Sequence, residues 1–317
     1  MRFFDIYEVV RFLPAKALTH KEKWGDKTHG CRFCLRTEPD VKFGDDTHLI
    51  PAFMGNRYLL SGFECVECNH RFDKAEDHLS RFLQPTQAIQ MVEGRQGSPT
   101  FKRKLSATET EPEMVLLRIA KEGTDLEIKA QSEANVVEFD EESKRLKIRI
   151  KKDSFVPVQC MRALVKVAYS VFTLDEVSGF ELLRAWLYAP EECQKSTDLF
   201  GLPLLQVTIL GAEYMTSVIV FKKKPEHADT SYPAFSASIL FANQMLHFPL
   251  PFYEDDVKKI NSGVNLHLLH PELPITPEQY KDVRNPFGRL LEMNSNSVIK
   301  GLEEVLEFEF DSAKRVI

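Results

Sequence analysis

No apolar run in the 317 residues reaches the roughly 18 that a bilayer-spanning helix needs, so an integral membrane protein is not expected. Nothing repeats at a fixed period and no low-complexity tract appears, which sets aside repeat arrays and long disordered tails. A secretion signal is not expected either. The opening MRFFDIYEVVRFLPAK sets Asp5, Glu8 and Arg11 among its apolar residues and has no small-residue cleavage site, so it reads as a folded helix over residues 3–13. Excess positive charge is also lacking: the formal net charge is −6, which argues against a protein that coats nucleic acid by bulk attraction. Cysteine is sparse at six residues, and four of these form two Cys-x-x-Cys pairs. Without a secretion signal, metal ligation in a reducing cytoplasm is expected over a disulfide framework.

What is present suits globular cores. Apolar residues make up 43% and charged residues 28% of the chain, and 23 phenylalanines supply bulk for packing. The length allows two domains. The acidic excess lies beyond residue 98, the first 98 residues being balanced. Within that balanced part, Lys16, Lys21, Lys23, Lys27, Arg32 and Arg36 face only Glu22 and Asp26. Such a basic collar beside the first cysteine pair serves either to grip phosphates or as a solvated loop.

Periodicity divides the chain. Phe72, Ala75, Leu79 and Phe82 predict a helix over 70–83. Gly94, Gly97, Ser98 and Pro99 punctuate, and the acidic SATETEPE (Ser106 to Glu113) reads as a linker or exposed turn. Beyond it the period becomes two: Val115, Leu117 and Ile119 alternate, as do Leu126 and Ile128, and Val136 to Lys152 reads as two strands around a polar turn at Glu141 to Ser143. Met161, Leu164, Val165, Ala168, Val171 and Phe172 predict a helix, with a second around Gly179 to Tyr188. Strand character returns in LLQVTIL, MTSVIVF, FSASILF and VLEFEFD. The class is α+β, organised as residues 1–95, a linker over 96–113, and an antiparallel sheet with helices over 114–317.

Cys31, Cys34, Cys65 and Cys68 supply four soft ligands on one module, which suits tetrahedral Zn²⁺ in a closed, structural site; an iron–sulfur cluster is the competing reading. Cys160 and Cys193 stand alone in helical patterns and read as inert thiols. Between the pairs lies DDTHLIPAFMGN, with His48 at the end of a short apolar strand that Pro51 terminates and a turn at Gly55-Asn56. Asn69 follows Cys68 at the start of the predicted helix.

The order CxxC, then His48-Leu-Ile-Pro, then a Gly-Asn turn, then CxxCN resembles the HNH endonucleases, and more closely their zinc-ribbon subgroup, over about Cys31 to Leu83. The resemblance implies a ββα-metal fold, a hairpin and a helix around one divalent cation, stapled here by the four-cysteine zinc. It implies His48 as general base, Asn69 as ligand of a catalytic Mg²⁺ or Mn²⁺, and hydrolysis of DNA phosphodiesters to 5′-phosphate and 3′-hydroxyl ends. The family usually carries an acid immediately before the histidine, where this chain has Thr47; Asp45, Asp46 or Asp73 would have to compensate, Asp73 being favoured because it lies four residues after Asn69. Asn56 stands where the family's central asparagine is sought, and His70 is an alternative ligand. Such proteins look like bacterial restriction or phage-defence effectors, often partnered with a sensor or regulatory protein.

Beyond residue 113 no catalytic constellation is readable, and that part is expected to recognise, regulate or bind a partner. Arg145, Lys147, Arg149 and Lys151 line one strand face, as a phosphate track or a solvated face. Thr47 keeps a second reading open: a non-catalytic zinc-ribbon module that binds nucleic acid or a partner protein. The sequence leaves the oligomeric state open, a homo-oligomer included.

Overall fold

The computed structural model describes residues 2–15, 19–95, 97, 101–104, 114–119, 126–130, 137–190, 200–210, 214–275 and 284–310. Lys16, the SATETEPE stretch and Cys193 lie outside the described residues. In chain order the elements are α1 (Phe3–Ile6), β1 (Tyr7–Pro14), β2 (Glu22–Trp24), a 3-10 turn at Ala52–Met54, β3 (Leu59–Ser61) and α2 (Val66–Ile89). Three strands β4 (Phe101–Lys104), β5 (Met114–Ile119) and β6 (Leu126–Ala130) follow, then β7 (Val137–Asp140), β8 (Arg145–Lys151), α3 (Pro157–Ser170) and α4 (Glu181–Tyr188). The chain continues through β9 (Pro203–Leu210), β10 (Tyr214–Lys223), β11 (Phe235–Ala242), β12 (Gln244–Pro249), α5 (Glu254–Asn261), β13 (Arg284–Glu292) and β14 (Glu303–Glu309). The fold is α+β, and its largest sheet runs β1-β10-β11-β12-β9-β13 with every neighbour antiparallel.

The first strand corrects the reading of residues 3–13 as a helix. Only Phe3–Ile6 is helical; Tyr7–Pro14 forms an edge strand against β10. A bulge between Val9 and Arg11 puts one extra residue into β1, which breaks the two-residue alternation and hides the strand from a periodicity reading. Pro14, without an N–H, is tolerated at the end of an edge strand.

Every residue of α3 is buried, because the helix lies between α2 and strands β10 and β11. Phe33, Phe72 and Leu79 from the cysteine-bearing part and Met161, Tyr169 and Phe235 from the later part belong to one continuous core. The two charged side chains on α3, Arg162 and Lys166, join these layers. Lys166 Nζ lies 3.1 Å from Glu64 and 3.2 Å from Glu76. Burial pushes Glu64 up from the usual carboxylate value while the Lys166 charge pulls it back. Arg162 Nε donates to the Leu187 carbonyl at 3.0 Å, fixing the end of α4. Among the described residues no helix is long and apolar enough to cross a membrane.

The cationic stripe on β8 meets acids. In the register with β14, Lys151 faces Glu303, Lys147 faces Glu307 and Arg145 faces Glu309, while Arg149 stands opposite Val305. Arg145–Glu307 and Lys151–Glu303 approach to 3.5 and 3.4 Å. The stripe is a cross-strand charge ladder, not an open phosphate track.

Candidate metal centre and active site

The cluster begins at a tight turn. Gly30 takes φ +80°, and a side chain there would press within 2.8 Å of the Arg36 carbonyl oxygen. The Cys31 amide bonds that same carbonyl at 2.8 Å, and the Leu35 amide returns to the Cys31 carbonyl at 2.8 Å. The second pair opens α2, where Cys65 is the N-cap and its sulfur accepts from the Cys68 amide at 3.4 Å. Cys31 Sγ accepts from the Cys65 amide, also at 3.4 Å. All four sulfurs lie within 4.8 Å of one another, and the Cys34–Cys65 separation is 3.8 Å. A tetrahedron of Zn–S bonds of about 2.3 Å has edges of about 3.8 Å, so the cluster fits zinc. The thiols also conflict with one another: the hydrogen bond from Cys68 draws Cys31 down to about 5, the same bond holds Cys68 up, and burial holds Cys65 up to about 12. A divalent cation removes that conflict, because it lets all four sulfurs carry charge. Among the described residues this is the only group of three or more His, Cys, Asp or Glu side chains close enough to share an ion.

The basic collar around this cluster is largely occupied. Arg32 is buried, donates to the Ser170 and Phe172 carbonyls at 3.0 and 2.7 Å, and lies 3.6 Å over the Phe63 ring, so it caps the C-terminus of α3. Lys23 pairs with Asp45 at 2.9 Å, Lys27 with Glu38 at 2.7 Å, and Lys21 with Asp46.

His48 stands on a short extended stretch that pairs with β3 through the His48–Leu60 bridge; the Leu49 amide bonds the Leu59 carbonyl at 3.1 Å and the Ser61 amide bonds the Thr47 carbonyl at 2.8 Å. Asn56 holds that pairing in place. It is fully buried, and its Nδ2 donates to the Ile50 and Leu59 carbonyls at 2.7 and 2.8 Å. Its Oδ1 accepts from the Tyr58 and Leu59 amides. Four bonds to the backbone make Asn56 a clamp on the loop that carries His48; its amide is committed to the backbone and not presented as a reacting group. Nor does it merely make a turn.

The half-buried His48 ring opens into a cavity of about 510 Å³ lined by Lys21, Asp46, Asn56, Arg57, Gly94 and Arg95. Arg95 Nη2 lies 2.9 Å from His48 Nδ1 and 3.3 Å from the Asp46 carbonyl oxygen. Because a guanidinium only donates, this contact needs a lone pair on Nδ1, as in the neutral tautomer that carries its proton on Nε2. Burial, then the Arg95 charge, hold its pKa below the ordinary imidazole value, against a backbone hydrogen bond to Asp46 that favours protonation. Arg57 pairs with Glu93 at the rim.

Asn69 and Asp73 are not among the residues that line this cavity. Asn69 is half-buried in the first turn of α2. The Asp73 carboxylate pairs with His70 Nδ1 at 3.1 Å on the exposed side of α2. The neighbouring histidine thus takes up the acid favoured as a compensating ligand. Thr47 is buried beneath the loop, and the one carboxylate lining the cavity is Asp46. Sequence reasoning missed Arg57 and Arg95. Gly94 and Gly97 marked the turn that carries Arg95, but no local pattern ties that turn to His48.

Residues 31–84 match a family model described as HNH endonuclease, about one sixth of the chain. No curated protein and no solved structure matches the chain significantly. The match supports a nuclease-type function with nucleic acid as substrate, and the four-cysteine cluster at its heart supports metal binding.

Proposed function

We propose that the protein is a metal-dependent endonuclease that hydrolyses DNA phosphodiesters, with His48 as general base. The observation that carries this reading is that His48, within the segment that matches the HNH family, lines a cavity rimmed by Lys21, Arg57 and Arg95, with its Nδ1 2.9 Å from the Arg95 guanidinium. In this mechanism His48 Nδ1 takes a proton from water, the water oxygen forms the new P–O bond, and the leaving sugar oxygen departs with the electron pair of the bond that breaks. A depressed imidazole pKa keeps the base unprotonated at neutral pH. Asp46, the carboxylate lining the cavity, would hold Mg²⁺ or Mn²⁺, whose chemistry is to neutralise charge gathering on the phosphate; Asn69, the ligand the resemblance implies, does not line the cavity. One or two carboxylates with substrate phosphate are the ordinary complement of such an ion, so a site short of protein ligands is completed by nucleic acid. Asn56 positions His48, and the zinc cluster fixes the start of α2.

In this reading residues 1–95 do the cutting, and residues 114–317 recognise the target or a regulatory partner, a division of labour that crosses one shared core. A role in restriction or phage defence accords with it. Incubating supercoiled plasmid with Mg²⁺ or Mn²⁺ tests the proposal: conversion to nicked or linear DNA is expected, and intact plasmid at every divalent metal rejects it. Because Asn69 does not line the His48 cavity, a second reading stands beside the first, a zinc-stapled module that binds nucleic acid without cutting. It gives salt-sensitive DNA binding and no divalent-dependent cleavage.

A further inference from the structure

Three cations rim the His48 cavity, and two of them hold carboxylates: Lys21 holds Asp46 and Arg57 holds Glu93. Arg95 differs, since its hydrogen bonds to His48 Nδ1 at 2.9 Å and to the Asp46 carbonyl at 3.3 Å both end on neutral acceptors. The first of these occupies the same lone pair that a water molecule would use to lose its proton. Arg95 is exposed and sits in a tight turn closed by Gly94 and Gly97, whose amides bond each other's carbonyls at 3.0 and 3.3 Å. Drawing Lys21 or Arg57 onto a phosphate breaks an ion pair. Drawing Arg95 away leaves a neutral ring and a carbonyl, while a guanidinium gains charge-assisted, bidentate bonds from a phosphodiester.

The geometry points to Arg95 as a phosphate-positioning residue that caps the base at rest. With nucleic acid absent it occupies His48 Nδ1; when a phosphodiester enters, it transfers to the phosphate oxygens and frees the lone pair beside the group to be cut. The cap limits use of the base to moments when a phosphate is seated. This inference rests on the reading of His48 as the base.

Two measurements on the zinc-loaded full chain test it. Labelling of His48 with diethyl pyrocarbonate, read by mass spectrometry without nucleic acid, is expected to run several-fold faster in Arg95→Ala than in wild type. Duplex-DNA affinity, measured against salt in the non-cutting His48→Ala background, is expected to fall roughly ten- to a hundredfold on adding Arg95→Ala. The slope of log K against log salt should become shallower by about 0.9, and Arg95→Lys should restore it. Unchanged labelling with an unchanged slope overturns the assignment even where wild type cuts DNA. Faster labelling with an unmoved slope overturns the phosphate role. If both readouts move in a protein whose wild type never cuts, the Arg95 contacts to His48 and to phosphate stand, and the capping of a catalytic base falls with the nuclease reading.

Discussion

The four-cysteine cluster and the His48 cavity share residues 21–95 and are built on opposite terms. The cluster is complete within the chain: four sulfurs at tetrahedral spacing, with two backbone amides donating to them. The cavity is incomplete, an open space with one carboxylate, one neutral base and three cations, two of them tied to acids. A site that must hold one ion permanently closes around it. A site that must admit a polyanion and release it leaves ligands to the substrate and keeps its own charges paired until then.

The largest effect should come from opening the closed half. A structural zinc held by the four cysteines would contribute on the order of 10 kcal/mol of apparent binding free energy to the stability of the fold. Cys68→Ser is therefore expected to lose zinc and the cooperative unfolding transition, read by metal analysis and thermal melting; a variant that keeps the wild-type melting temperature and a full zinc content would refute the structural role. Next is the join between this region and α3. Lys166→Met leaves Glu64 buried without its cation and should destabilise by about 3–5 kcal/mol in denaturant titrations, with Glu64→Gln recovering part of the loss. An unaltered midpoint in Lys166→Met would show that the ion pair contributes nothing.

Much of the closed half could be read from spacing alone, because ligand chemistry writes its geometry into short intervals such as Cys65-x-x-Cys68. Helices α2 and α3 were legible for the related reason that their apolar stripes run for several turns. The open half was not legible in the same way. Arg95 meets His48 across 47 residues of chain, and Asn56 looked like a turn residue because its four backbone partners exist only once the loop is folded. The β8 cations could be seen in sequence, but the acids that face three of the four, Arg145, Lys147 and Lys151, lie on β14, more than 150 residues away. Asp73 shared a helix with Asn69 by count, yet its closest partner is the histidine three residues before it. Local patterns reveal elements and metal knuckles; pairings between distant residues decide which charges remain available.

Two smaller effects sharpen the contrast. Asn56→Ala removes the side-chain partner of the Tyr58 and Leu59 amides and of the Ile50 carbonyl, leaving the Leu59 carbonyl only its bond from the Leu49 amide; it should cost about 1–3 kcal/mol, while lowering cleavage through displacement of His48 and leaving zinc content intact. Zinc loss in that variant would mean that the two halves are coupled. Smallest is Arg145→Ala on the β8 ladder, expected to change stability by no more than about 1 kcal/mol and DNA affinity not at all. A clear loss of DNA binding there would restore the strand as a phosphate track.

The most direct measurement is divalent-dependent plasmid cleavage by wild type and His48→Ala, with zinc content determined on the same samples. The account predicts equal zinc in both proteins and cleavage reduced about a hundred- to ten-thousandfold in the variant. Equal cleavage by the two proteins, at equal zinc, would contradict it.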